Sequence, residues 1–267
     1  MNPVIVIVAL IVLAALVYAG VKAAQAYAER ERQRIAGLSR WGAANGFDFS
    51  PGDPWNLDGR YSGIADIGKG HDRYALETLT RQSPVPAVIF RYHFKTWETR
   101  TITRNGRTET QTYEETHWRR YLTVELGVAF PHLFIRPEGL FDRIAGFVGF
   151  DDIDFESEEF SKRYFCKSDD RQFTYAVIHP QMMEWMMPRQ FQGELRQGLL
   201  FMDVSAGAHT PEGCQWVWEN AAGFVNRIPP FVWQDYAKRD PIRLPEPAPY
   251  LPPAPPAAAP LMAAPQR

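Results

Sequence analysis

The chain is 267 residues long, 45% hydrophobic and 13% aromatic, with a net charge of −2. Without its apolar front and proline-rich end it keeps about 200 residues, enough for one domain that buries about 70% of its unfolded surface. Residues 1–34 hold four basic and two acidic side chains, so the rest carries −4 and lacks the basic excess of a nucleic-acid-binding body.

The first element is VIVIVALIVLAALVYAGV, Val4 to Val21, which has no charged residue. As a helix it rises about 27 Å, close to the hydrocarbon thickness of a bilayer. It is apolar on every side, whereas a helix packed on a soluble core shows a polar face. Residues 1–28 are therefore expected to form a membrane anchor that meets the lipid bilayer through Val4–Val21. Tyr18, Lys22 and Tyr27 suit the headgroup zone. The competing reading is an export signal cleaved near Ala28, since AYA at 26–28 has the small-x-small pattern of a cleavage site. No Lys or Arg precedes the span, and Lys22, Arg30, Arg32, Arg34 and Arg40 follow it. That asymmetry predicts a cell-membrane protein with its body in the cytoplasm.

Residues 29–46 continue as a juxtamembrane helix, with Ile35, Leu38, Trp41 and Ala44 near helical spacing. ANGF ends it: Asn45 or Gly46 can take the left-handed conformation, and Phe47 packs back. From Gly59 to Leu126 the pattern reads as strands, in GRYSGIADIG, DRYALETL and AVIFRYHFKTW. Within TRTITRNGRTETQTY, Asn105-Gly106 is the favoured pair for a two-residue type I′ turn. Centring a hairpin there pairs Thr103 with Thr108, Thr101 with Thr110 and Ile89 with Leu122. The outer part is polar on both faces, so residues 97–114 are expected to protrude as an arm. Arg104, Asn105, Gly106 and Arg107 at its tip are candidate interaction residues.

Beyond the arm, HLFIR (132–136) reads as a short buried strand and PEGLFDRIAGFVG as a helix starting at Pro137. DIDFES is a strand, and EEFSKRY forms one or two helical turns. YFCKS is another strand, and DDRQFTYAVI and PQMMEWMM are successive helices. ELRQGLLFMDVSAG is a strand or half of a hairpin, and CQWVWENAAGFVNRI is a last helix broken at Pro229-Pro230. The fold class is α+β: an N-terminal transmembrane helix, then one domain over residues 47–240 with a mainly antiparallel sheet and several helices. Residues 241–267 hold ten prolines, too many for a core, and are expected to be a disordered, extended tail. A protein partner would dock on the arm or on this tail.

Chemistry is sparse. Asp152, Asp154, Glu156, Glu158 and Glu159 look like a metal or acid–base cluster, but helix-start physics accounts for them. Ser157 suits an N-cap, Glu158 and Glu159 suit the first turn, and Lys162 lies four residues after Glu158. Ser168 or Asp169 caps the next helix in the same way, and His179 marks a further helix start. His93 falls opposite Trp118 and His117 opposite Phe94, so the two imidazoles lie on different faces. Neither H-E-x-x-H nor a nucleophile or phosphate-loop motif occurs. The sequence therefore suggests no cofactor and no metal. Cys166 and Cys214 are read as free buried thiols, with one disulfide as the alternative. MMEWMM puts Met182 and Met186 on a helix that is either core or an apolar surface for a lipid or peptide.

The pieces Trp41, Asn45 to Phe49, FESEEFSKRYF and DDRQFTYAVIHPQMMEW resemble a group of bacterial single-pass hypothetical membrane proteins of unknown function. That likeness implies a retained anchor and a β-rich body, and brings no activity or site residue with it. The expected function is a non-catalytic binding or scaffolding domain at the cytoplasmic membrane face. The alternatives are a membrane-tethered enzyme such as a hydrolase, using residues like His71 and Asp72, or a lipid- or peptide-binding module.

Overall fold

The computed structural model describes residues 3–104, 107–138, 151–152 and 155–237. The Asn105-Gly106 turn, the helix expected after Pro137, Ile153 and Asp154 of DIDFES and the 241–267 tail lie outside the described residues. Of the strand expected in DIDFES only Asp152 is in one, and Phe155 to Ser157 are not.

Helix α1 (Pro3–Asn45) is one unbroken rod of 43 residues. It is long and apolar enough to cross a membrane by length and composition, and its apolar window is 0% buried, which removes the buried-core reading. A cleaved signal would pass the same length and composition test. The described side chains between Val4 and Val21, such as Ile7, Leu10, Ile11, Leu13, Leu16 and Val17, leave a far larger exposed apolar surface than a water-soluble monomer carries. The other end of the rod enters the core, with Leu38 and Trp41 buried. Gly46 ends it at φ 76°, the Phe47 amide donates to the Gly42 carbonyl at 2.8 Å, and the Phe47 ring stacks on Trp41.

The body is α+β. Its nine-stranded sheet has the order β1-β2-β3-β4-β9-β8-β5-β7-β6, and every pairing is antiparallel. The strands are β1 (Asp48–Ser50), β2 (His71–Arg81), β3 (Ala87–Arg104), β4 (Arg107–Glu125), β5 (Leu133–Pro137), β6 (Asp151–Asp152), β7 (Tyr164–Ser168), β8 (Gly193–Arg196) and β9 (Leu199–Asp203). The remaining helices are α2 (Leu57–Arg60), α3 (Glu158–Ser161), α4 (Arg171–Val177), α5 (Pro180–Met186), α6 (Pro211–Val225) and α7 (Pro230–Ala237).

The sheet has a core on each face. The larger joins Leu38, Trp41, Leu79, Ile89 and Leu122 to side chains of α4, α5, α6 and α7. The smaller packs Phe90, Tyr92, Phe94 and Tyr121 under Leu57, Tyr61, Ile64 and Ile67. Residues 59–68 are therefore not a strand. Their buried positions recur every three or four residues, the period of helical and turn structure rather than of a strand. Gly63 and Gly68, both at positive φ, turn the chain back.

Local chemistry places the short helices. Ser157 Oγ accepts from the Phe160 amide, and Lys162 pairs with Glu158 at 3.1 Å. The α4 cap is Asp170, one or two residues later than expected, accepting from Phe173 N at 2.9 Å. Ser168 is occupied elsewhere, donating to the His132 carbonyl at 2.6 Å. After Pro229 the chain starts a further helix instead of ending, because proline at a first helical position has no amide to satisfy. Cys166 and Cys214 are free and buried. Burial raises both thiols, Cys214 to about 11, so neither is reactive near neutral pH.

The close approach of α1 to the sheet gives a test. A Cβ on Gly42 would lie 2.8 Å from Leu79 Cδ2 and 2.9 Å from the Phe47 carbonyl oxygen. Gly42→Ala should destabilise the body by about 1–3 kcal/mol, read by chemical denaturation in detergent, despite alanine's better helix propensity.

Candidate functional site

Among the described residues, candidate sites include an ion cluster at the root of the arm, the two faces of its neck, and a groove beside α5.

The ion cluster is built by a bulge. Between Leu76 and Leu79, three steps of β2 span two of β3, and Glu77 sits inside that irregularity at φ 50°. A left-handed non-glycine residue costs roughly 1 kcal/mol, and here it turns a carboxylate toward α1. Arg34 grips Glu77 with both Nη atoms, at 2.7 and 3.1 Å. Arg91 approaches it at 3.3 Å, and buried Arg120 donates through Nη2. Arg120 Nε and Nη1 have no hydrogen-bond partner among the described residues, so Glu77 carries the whole compensation of that buried cation. Glu31 extends the cluster, pairing with Arg34 at 2.6 Å. Burial pushes the Glu77 carboxyl up, but the hydrogen bonds and charges of Arg34 and Arg120 outweigh it and bring the group down to about 2.

The arm continues from this row. The β3–β4 register pairs Ile89 with Leu122, Thr101 with Thr110 and Thr103 with Thr108, as a two-residue turn centred on 105–106 requires. On the α1 side the neck carries an aromatic ladder across three strands. Tyr74 stacks on His93 at 4.5 Å, Trp118 meets both, and Arg91 lies over Trp118 at 4.0 Å. Further out His71 stacks on Trp97 at 5.2 Å. Lys95 there pairs with Asp72 at 3.0 Å and Glu114 at 3.1 Å, and His71 with Glu114 at 2.9 Å. Trp97 is 64% exposed and Tyr74 41%. The opposite side of the neck holds His117, buried and stacked on Phe94 at 4.6 Å. Beside it are Thr96, Glu98 and Glu115.

The groove lies between α3, α4 and α5. Its volume is about 1320 Å³, and Phe155, Phe160, Tyr175, Met183 and Met187 line it, with Glu156, Glu159 and Glu184 among its acids. Met182 and Met186 are 0% exposed, so as interaction candidates they are corrected to core residues; the groove takes their neighbours instead. His179 also borders the groove. Its Nδ1 accepts from the Met182 amide at the start of α5, and its Nε2 faces the Arg227 carbonyl just past the end of α6 at 3.1 Å, so both ring nitrogens have structural partners.

Of the other proposed site residues, Arg104 and Arg107 pair as the last register position of the arm, while Asn105 and Gly106 fall outside the described residues. His71 and Asp72 do not form an acid–base pair: His71 faces Glu114 and Asp72 faces Lys95, and neither lines the groove. No local motif marks the aromatic ladder, although the hairpin register puts Trp97, His93 and Trp118 on one side.

An antiparallel sheet layered by helices and entered by one helix of membrane-spanning length defines an α+β protein with a candidate anchor. No family model matches the chain, and no curated protein matches it. Among solved structures, the crystal structure of the mycobacterial trehalose monomycolate transport factor A, TtfA, is similar with a TM-score of 0.47 and 12% identity, over 82% of this chain and 99% of that one. At that distance it transfers no function.

The ion cluster predicts an acid response. Glu77 lies below its ordinary 4.5 when folded, so its stabilising contribution is full above about pH 4.5 and is lost as pH falls toward about 2. Glu77→Leu should cost about 3–5 kcal/mol at neutral pH by stranding Arg120, and should flatten the acid limb of a denaturation-versus-pH series.

Proposed function

We propose that this chain is a single-pass membrane-anchored binding or scaffolding module. Its body stands on the cytoplasmic face, and the aromatic side of the arm engages a protein partner held near the bilayer. The observation that carries this reading is the continuity of α1: one helix runs from an apolar stretch that the body does not bury into the Arg34–Glu77 grip without a break between.

Direction supports it as well. Gly42 of α1 lies against Leu79, in the Ile89–Leu122 row. Arg34, nearer the N-terminus, meets Glu77 and lies in the Arg91–Arg120 row, two positions closer to the arm. The apolar rod and the arm therefore leave the body toward the same end of the sheet. Exposed Trp and Tyr beside Arg and Lys suit an interface where one side is apolar and the other wet.

Replacing Glu98–Tyr113 by Asn-Gly should leave the body folded, because Trp97 and Glu114 are already a paired position that a two-residue turn can close. It should abolish partner crosslinks formed in intact cells; crosslinks of unchanged yield would refute the arm as the contact. Trp97→Ala alone should weaken them by about tenfold or more if the ring is an anchor.

Placement is tested separately. A reporter active only in the cytoplasm, fused after Arg267, should be active, and the mature chain should retain residues 1–28. Activity of an export-only reporter, or a mature chain starting at Glu29, would overturn the orientation or the anchor.

A further inference from the structure

We propose that Glu98, Glu115 and His117 form a binding site for one divalent transition-metal cation at the neck of the arm, with zinc as the representative ion. The inference concerns the side of the hairpin facing away from α1 and does not depend on what the arm contacts.

The register brings the three residues together. Thr96 pairs with Glu115, Phe94 with His117 and Glu98 with Tyr113. Residues two apart on a strand share a face, so Glu98 on β3 and Glu115 and His117 on β4 all project to the same side. One ligand atom from each lies within 4.8 Å of the other two. Ligands about 2.1 Å from a tetrahedral ion are about 3.4 Å apart, a contraction that a rotamer adjustment of the exposed Glu98 can supply. The hydroxyl of Thr96 already sits between two of them, 2.7 Å from His117 Nε2 and 3.2 Å from Glu98 Oε1. It is placed to orient both groups, as an outer-shell hydroxyl does at a metal centre.

Charge supplies the second argument. On the opposite face every acid of the neck is neutralised: Asp72 and Glu114 share Lys95, and Glu114 also takes His71. On this face Glu98 and Glu115 have no ion-pair partner among the described residues, and nearby Arg119 is turned to Asp66 at 3.5 Å. Neighbouring like charges on one sheet face destabilise the pairing. A divalent cation removes that repulsion, and the donor set of one imidazole and two carboxylates suits zinc, manganese or iron(II). Both strands contribute, so the ion would clamp the ribbon where it leaves the body. That is the point where two strands without a layer on either side become marginal in water.

The test uses the full chain in detergent, without a histidine tag, stripped with chelator and titrated with zinc chloride by calorimetry. One equivalent should bind with saturation below millimolar zinc. Glu98→Gln and Glu115→Gln should each weaken binding by more than about tenfold without lowering the unfolding midpoint of the metal-free protein, since each also removes the like-charge repulsion. His71→Gln, on the other face, should bind as the native chain does. Absence of binding at millimolar zinc would overturn the site, as would native affinity in Glu98→Gln and Glu115→Gln. So would loss of binding in His71→Gln, which would move the ion to the α1 side.

Discussion

The carboxylate of Glu77 is the point through which the rod and the sheet are fixed to each other. Arg34 reaches it from α1, Arg91 from β3 and Arg120 from β4. A buried ion cluster of this kind contributes little net stability, because desolvation offsets attraction, but removing one member leaves the others unpaired at large cost. Its value is geometric. Apolar contacts such as Leu38 against the core tolerate small slides; a bidentate guanidinium on a carboxylate does not. The left-handed backbone at Glu77 is the local strain that makes this aim possible.

Two bulges in β2 organise what lies beyond. The inner one holds Glu77. The outer one, between His71 and Tyr74, holds Asp72 at φ 52°, whose carbonyl meets His93 Nδ1 at 2.8 Å. Each inserts a residue and re-aims its neighbours. As a result Tyr74 stacks on His93, and Asp72 reaches Lys95. Strand alternation then separates two environments across the thickness of one ribbon: an aromatic and ion-paired ladder on the α1 side, and unneutralised carboxylates beside an imidazole on the other.

The sequence was most legible where local chemistry and tertiary structure agree. Asn105-Gly106 set the register of β3 and β4 over their whole length, and Ser157, His179 and Gly46 marked helix ends as capping rules require. It misled at 59–68, where aromatic and β-branched residues suggested a strand but the buried set repeats at turn spacing. It also misplaced the α4 cap, since Ser168 is recruited by a carbonyl distant in sequence. The Glu77 cluster was not readable at all. It joins residues 43 positions apart on either side and depends on a bulge that no propensity announces. The Glu98, Glu115 and His117 grouping was readable in principle. The pairing arithmetic that separates His93 from His117 also puts Glu115 and Glu98 beside His117.

An unhinged rod also sets a clearance. Were Val4–Val21 seated in the hydrocarbon of a bilayer, the thirteen residues from Val21 to Arg34 would lift the root of the sheet about 20 Å along the helix axis. The thirteen residues from Arg91 to Arg104 extend about 43 Å. The hairpin is thus longer than the gap it shares with the rod, so a helix tilt of a few degrees would raise or lower its end against the headgroups. Bilayer thickness, to which a long apolar helix can adapt by tilting, would then bear on how far the ribbon reaches, without any change within the body itself.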